Sequence, residues 1–275
     1  MTRRSIALYL SLARQFRNAP ELIRCVRSGS LCDSAVTWTG RTLTHPTGIP
    51  GFLDVLLEHW VFGSYVRDGF YTPCPGDVVL DIGAHIGLFS IQLSRLCAEL
   101  RVLAFEPSHD TFQCLRANLQ SFGCDNVQTF RMALGSTHGQ GQMRSGERTL
   151  DNVLEISHSP CGSFPVVPLA EMLEFAGSDR VALMKVDIEG SEKQAFQSVS
   201  PALLLRIDRI VLEYHDNLLP GSLDAVKKAL SSTHETYVEP SSVAGCGILR
   251  GVLRQLPKSQ GITQNLRAGT SCTTH

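Results

Sequence analysis

Val78-Val79-Leu80-Asp81-Ile82-Gly83-Ala84-His85-Ile86-Gly87-Leu88-Phe89-Ser90-Ile91-Gln92-Leu93-Ser94-Arg95 is the stretch that decides the fold. Val78 to Ile82 is a short apolar run suited to a strand buried on both faces of a parallel sheet. Gly83 to Gly87 turns the chain, and Leu88 to Cys97 carries helical spacing. A strand, a glycine turn and a helix in that order make the opening of a βαβ unit.

The alternation continues outward. Arg101 to Phe105 reads as a second strand ending at Glu106-Pro107. Ser108 is placed to cap a helix running to Ser121, with Gly123 just past its end. Val127 to Leu134 is expected to be a third strand, and residues 135–165, rich in Gly, Ser and His, a long loop or irregular hairpin near the site. Leu169 to Phe175 reads as helix, Val181 to Val186 as strand, Ser191 to Leu205 as helix and Ile210 to Tyr214 as strand. Ser222 to Ser232 is a further helix, followed by weak strands at Tyr237 to Val238 and Gly247 to Leu253. Strands alternating with helices in this way predict a doubly wound α/β fold with a mostly parallel sheet covered on both faces.

Upstream, residues 1–28 read as one helix ended by Gly29 and Ser30, and Gly51 to Phe62 as a second helical stretch among turns. The expected organisation is an N-terminal helical and irregular extension over 1–75, a catalytic domain over 76–253, and a polar, aperiodic tail over 254–275 whose default is disorder.

The bulk properties exclude several classes. Of the 275 residues 43% are hydrophobic, enough for one large domain, and the net charge of −1 gives no electrostatic case for a nucleic-acid partner. Nine scattered cysteines, with no Cys-x-x-Cys pair and no zinc spacing, read as free thiols in a reducing compartment. No window reaches the length of a membrane span. The first 30 residues hold six arginines against Glu21 alone, around the apolar run Ile6 to Leu12. An amphipathic helix packed on the domain fits this pattern, and so does a transit segment or a membrane-surface helix. The protein is expected to be cytoplasmic.

In an open parallel sheet, ligands bind beyond the carboxyl ends of the strands. Four such ends carry acids: Asp81, Glu106, Asp187 and Glu213. After Asp81 the spacing is Gly-x-x-x-Gly, not the Gly-x-Gly-x-x-Gly of a pyrophosphate cradle. Glycines there let backbone approach a ligand, and the following helix offers free N–H groups. An acid ahead of the first glycine suits a cationic, amine-bearing ligand such as the methionyl part of S-adenosylmethionine. Glu106 lies 25 residues after Asp81, where a carboxylate can accept both ribose hydroxyls; that position serves NAD equally well.

Two further runs carry chemistry. In Lys185-Val186-Asp187-Ile188-Glu189-Gly190-Ser191-Glu192, three clustered acids require compensation by a cation, by Lys185 or by a metal, although Glu192 also suits a plain helix N-terminus. In Leu212-Glu213-Tyr214-His215-Asp216, His215 has the intrinsic pKa of a general base that Glu213 or Asp216 could orient. Asp187, Glu213 and Asp216 would equally suit a divalent metal.

Together these motifs resemble the FkbM-type methyltransferases, a branch of the S-adenosylmethionine-dependent class I family. The residues that carry the resemblance are Gly76 to Gly87, Ala104-Phe105-Glu106-Pro107, Lys185 to Glu192 and Leu212 to His215. It covers about residues 76–238 and implies a seven-stranded sheet with an antiparallel last strand. It also implies methyl transfer to a hydroxyl of a small molecule or sugar. On this reading Asp81, Gly83, His85, Gly87 and Glu106 bind the cofactor, and Asp187, Glu213 and His215 lie near the acceptor as base, orienter or metal ligands. Two departures stand out: His85 replaces the usual Asn, and Pro168-Leu169-Ala170-Glu171 lacks the Asp of a Thr-Leu-Asp stretch. The alternatives are an NAD-dependent oxidoreductase and a non-catalytic module of the same fold.

Overall fold

In the computed structural model, the residues described are 3–61, 65, 69–144, 153–157 and 164–254. Two arginine-rich helices come first, α1 (Arg3–Gln15) and α2 (Ala19–Ser28). The single helix expected over 1–28 is broken because Pro20, in the first turn of α2, has no N–H to continue the ladder. Asn18 stabilises the break: its side-chain oxygen accepts the Val36 N–H at 2.9 Å. A small hairpin follows, β1 (Ser34–Val36) and β2 (Thr42–Thr44), then α3 (Phe52–Val55), which runs on as a π-helical turn over Leu56–Val61.

The sequence then enters the main sheet. Its parallel strands are β3 (Val78–Ile82), β4 (Arg101–Phe105) and β5 (Val127–Phe130), linked by α4 (Leu88–Leu96) and α5 (His109–Phe122). The strand expected over Val127 to Leu134 is divided at Arg131-Met132. Its second half, β6 (Ala133–Gly135), joins β7 (Gly139–Arg144), β8 (Val153–Ser157) and β9 (Phe164–Pro168) in a separate four-stranded sheet ordered β6-β9-β7-β8. Among the described residues, the expected loop or irregular hairpin over 135–165 is an antiparallel β7–β8 pair followed by the start of β9, with a bend at 136–138; 145–152 and 158–163 lie outside the described residues.

After α6 (Leu169–Phe175) comes β10 (Leu183–Val186). The helix expected over Ser191 to Leu205 is two short ones, α7 (Glu192–Phe196) and α8 (Pro201–Leu204), because Pro201 starts a new first turn. Then come β11 (Arg209–His215), α9 (Ser222–Leu230), β12 (His234–Pro240) and β13 (Cys246–Leu253).

The main sheet has seven strands in the order β12-β13-β11-β10-β3-β4-β5. β13 pairs antiparallel with both β11 and β12, while β3, β4, β5, β10 and β11 are parallel neighbours. The order reverses between β3 and β10, the switch point where an α/β sheet opens its ligand crevice. This is the class I methyltransferase architecture, with the antiparallel last strand that the resemblance implies.

Strand alternation sorts the core. Leu80, Ile82, Met184, Val186, Ile210 and Leu212 face one layer. Val79, Leu183 and Val211 face the other, against Tyr65, Tyr71 and Phe89. Leu12, Phe16 and Leu22 of the N-terminal helices are fully buried in a third cluster with Ile86, Ile91 and Leu119, so α1 and α2 pack on the α4–α5 layer. No described helix is long and apolar enough to cross a membrane. The seven cysteines among the described residues are all free thiols; the expected disordered tail, from residue 255 on, lies outside the described residues.

Candidate active site

The site grows from one sheet face. Asp81 and Lys185 are register partners on adjacent parallel strands, and Lys185 pairs in turn with Val211. Their side chains therefore share a face with residues two further on, which brings Asp187 and Glu213 beside them. That face is apolar at Val79, Leu183 and Val211 and becomes ionic toward the carboxyl ends of the strands.

Lys185 is the hub. It is 2% exposed, donates to the Gly83 carbonyl at 2.5 Å, and lies 3.4 Å from Asp81 and 3.6 Å from Asp187. Its ammonium also sits 5.3 Å from the centre of the Tyr65 ring, a cation–π distance. Burial works against its charge, but Asp81 and Asp187 outweigh this and raise its pKa above the usual lysine value. Asp81 is fully buried and accepts from the Ser90 hydroxyl at 2.6 Å. It stands one layer beneath the glycine turn, so it acts on that turn through Lys185.

The turn itself is shaped by packing. Gly83 and Gly87 have φ of 75° and 88°, and His85 is also left-handed at 50°. A Cβ on Gly83 would fall 1.7 Å from the Asp187 carbonyl oxygen, and one on Gly87 would fall 2.5 Å from Leu115 Cδ1. The glycines are required by their protein neighbours, a reason the sequence reading, which assigned them to ligand approach, did not contain. The turn's backbone is held by Glu106, whose two oxygens accept the His85 and Ser108 N–H groups at 2.9 and 2.8 Å. Burial pushes the Glu106 carboxyl up to about 7, opposed by those two backbone donors.

Tyr65 joins the other two strand ends. Its hydroxyl lies 3.0 Å from Asp187 Oδ2 and 2.9 Å from Glu213 Oε2. One hydroxyl hydrogen serves one acceptor well, so the carboxylates are held as a pair around a shared donor. Tyr65 was missed by the sequence reading: it is one of several aromatics between Trp60 and Tyr71, and no period or spacing singles it out. Ser90, on the first turn of α4, was missed in the same way.

His215 closes the cluster from the last position of β11. Its Nδ1 contacts Glu192 Oε1 at 2.8 Å, and its Nε2 lies 3.3 Å from Glu189 and 3.9 Å from Glu213. Burial disfavours its charge, but the Glu192 hydrogen bond and the Glu189 and Asp187 carboxylates prevail and raise its pKa to about 10. Burial and Asp187 push Glu189 up to about 9, with His215 opposing. Glu192, which suited a plain helix start, is fully buried and also accepts the Gly190 N–H at 2.9 Å, so it belongs to the site. Asp216 does not: its Oδ1 accepts the Leu223 N–H at 3.0 Å and ties down the start of α9.

Two kinds of group fit this chemistry. Asp81, Asp187, Glu192 and Glu213 outnumber Lys185 and His215, so the cluster favours a cationic guest such as a sulfonium bearing an ammonium. One ligand atom from each of Asp187, Glu213 and His215 lies within 4.8 Å of the others, close enough to share a divalent cation.

Residues 81–233, more than half of the chain, match the methyltransferase FkbM domain, and the chain belongs to that family. Among relatives, "31-O-demethyl-FK506 methyltransferase FkbM" of Streptomyces tacrolimicus is 28% identical over 205 residues, covering 63% of this chain and 78% of that protein. "AMB antimetabolite synthetase AmbE" of Pseudomonas aeruginosa PAO1 is 27% identical over 218 residues, covering 64% of this chain but only 10% of that much longer protein. Among solved structures, precorrin-6y C5,15-methyltransferase of Geobacter metallireducens superposes with a TM-score of 0.43 at 17% identity, covering 77% of this chain and 94% of that one. Family membership removes the oxidoreductase alternative.

Proposed function

We propose that this chain transfers a methyl group from S-adenosylmethionine to a hydroxyl of a small molecule or sugar. The observation that carries the reading is the Asp187–Tyr65–Glu213 bridge beside the Gly83 turn. Such a bridge would offer proton-accepting carboxylates to a hydroxyl lying beside a cofactor at the switch point. O-methyl transfer is also what the name of the Streptomyces relative describes for that protein.

Bound S-adenosylmethionine supplies an electrophilic methyl on a sulfonium. Glu106 would accept the ribose hydroxyls with the lone pairs its two backbone donors leave free. The Gly83-Ala84-His85-Ile86-Gly87 backbone, fixed by Lys185, Asp81 and Glu106, would hold the methionyl end. Asp187 and Glu213 would orient the acceptor hydroxyl and take up its proton. His215, kept as a cation by its hydrogen bond to Glu192, positions Glu213 and leaves the base role to the carboxylates. Alignment of this kind is worth up to roughly 7–11 kcal/mol of barrier.

A second reading is favoured by the Asp187–Glu213–His215 spacing: these three hold a divalent metal that orients the hydroxyl. Residues 76–253 form the catalytic domain in both readings, with acceptor choice made by 1–75 and the segment 135–165. The protein works in the cytoplasm, where its free thiols stay reduced.

The test is calorimetry with S-adenosylhomocysteine, followed by mass spectrometry of a hydroxyl acceptor panel with wild type, Asp187→Asn and Glu213→Gln. The variants should bind S-adenosylhomocysteine like wild type and lose roughly 10²–10⁴-fold in turnover. Chelator treatment should leave turnover intact; loss restored by Mg²⁺ or Mn²⁺ selects the metal reading. No binding of S-adenosylhomocysteine would overturn both, and binding without turnover of any acceptor would favour a non-catalytic module.

A further inference from the structure

A second, separate groove lies at the opposite end of the molecule. α4 begins at the candidate active site with Leu88 and ends at Leu96; α5 runs the same way from His109 to Phe122. Where both end, they meet the last turn of α1 and the β1–β2 turn around a groove of about 570 Å³, within the usual size of a small-molecule site.

Its lining includes Arg14, Arg41, Arg95, Trp38 and Trp60 and no acidic residue. Among the described residues no carboxylate forms an ion pair with any of these arginines, in a chain of net charge −1. The C-terminal dipoles of α1, α4 and α5 favour cations here, but such an effect is modest, screened, and confined to the last turn. It does not explain the aromatics.

The groups are also fixed in place. Arg41 donates to the Phe122 carbonyl and lies 5.7 Å from the centre of that ring. Arg95 lies 5.8 Å from the Trp60 ring and 5.9 Å from Phe122. Trp38 is 63% exposed, yet its indole N–H is pinned to the Ala13 carbonyl at 3.0 Å. A large ring held at the rim of a cationic groove is a stacking surface, and guanidinium forks match phosphate oxygens.

We propose that this groove binds a small phosphorylated ligand carrying a flat ring, of the nucleoside polyphosphate class, independently of the methyl-transfer site. The phosphates would meet Arg14, Arg41 and Arg95, and the ring would stack on Trp38.

Trp38 and Trp60 are the two tryptophans of the chain, so its intrinsic tryptophan fluorescence reports on this groove. The experiment titrates the full chain, saturated with S-adenosylhomocysteine, with ATP, inorganic tripolyphosphate and adenosine, followed by fluorescence and calorimetry. ATP should bind at sub-millimolar concentration, tripolyphosphate more weakly and adenosine not detectably, with affinity falling as salt rises. Arg14→Gln with Arg95→Gln should weaken ATP at least tenfold with S-adenosylhomocysteine affinity unchanged. The proposal would be overturned by no response to ATP or tripolyphosphate, by adenosine binding as tightly as ATP, or by ATP affinity unaffected by the double substitution. Much tighter binding of a single-stranded oligonucleotide than of ATP would overturn it in favour of a nucleic-acid surface.

Discussion

Gly83 and Asp187 are pressed backbone to backbone: a Cβ on Gly83 would lie 1.7 Å from the Asp187 carbonyl oxygen. The turn after β3 and the turn after β10 are thus one packed unit at the switch point. Gly83 combines this contact with φ of 75°, so two penalties meet at one position. Gly83→Ala should destabilise the protein by about 3 kcal/mol or more, from overpacking and left-handed backbone together. Urea unfolding checks this, and a loss under about 1 kcal/mol would show that the two turns move apart readily.

Glu106 links that turn to the second strand, and its carboxyl is held near neutrality by burial. As pH rises through about 7 it ionises, and its acceptance of hydroxyl donors becomes charge-assisted. S-adenosylhomocysteine affinity should therefore increase from pH 6 to pH 8 by about tenfold in wild type. Glu106→Gln should bind more weakly with a flat profile across that range. A wild-type profile as flat as the variant's would remove Glu106 from the ribose role.

Lys185 is a cation buried between Asp81 and Asp187, which makes removal of its charge costly. Lys185→Met should destabilise by about 3–5 kcal/mol, because it leaves Asp81 uncompensated. Adding Asp81→Asn to it should recover part of that loss, since the orphaned charge is then gone. A double-mutant cycle in urea measures the coupling, expected at about 0.5–3 kcal/mol. Strictly additive losses would mean that Lys185 serves mainly the Gly83 carbonyl.

The strands β3 and β4 and the helix α6 fall where the sequence places them, because β3 lies between Asp77 and Gly83, β4 ends at Glu106-Pro107 and α6 starts after Pro168. The four strand-end acids were legible for the same reason: each follows a run that can only be a buried strand. The helix breaks at Pro20 and Pro201 were legible in principle, since a proline ends the preceding hydrogen-bond ladder, but the apolar period continues across both. The β6–β9 sheet was not legible. Gly139 and Val166 are register partners separated by a segment without periodicity, and only tertiary pairing creates those strands. Within the site, the motif marks Lys185, Asp187 and Glu213, whereas Tyr65 arrives from 122 residues away from Asp187 on a segment with no pattern. His215 was read by its intrinsic pKa; the carboxylates around it, which only three-dimensional packing supplies, raise that pKa to about 10.

His234 offers a test of the fold remote from the site. It is buried at the start of β12, with Nε2 at 3.0 Å from the Ile207 carbonyl and Nδ1 at 2.8 Å from the Thr233 hydroxyl. Burial lowers its pKa below the ordinary histidine value, against the Ile207 contact. The unfolded chain therefore takes up a proton near pH 6.5 that the folded chain refuses until lower pH. Stability contributed by the neutral ring is complete above about pH 7 and is lost as pH falls below about 6.5. His45, also lowered mainly by burial, adds a loss of the same sign. His234→Gln keeps a donor for Ile207 and cannot titrate, so its stability should fall less steeply between about pH 7 and about pH 5 than that of wild type. The slopes should differ by up to about 1.4 kcal/mol per pH unit, the weight of one proton. Parallel slopes in urea titrations would show that His234 is protonated equally in the folded and unfolded chains.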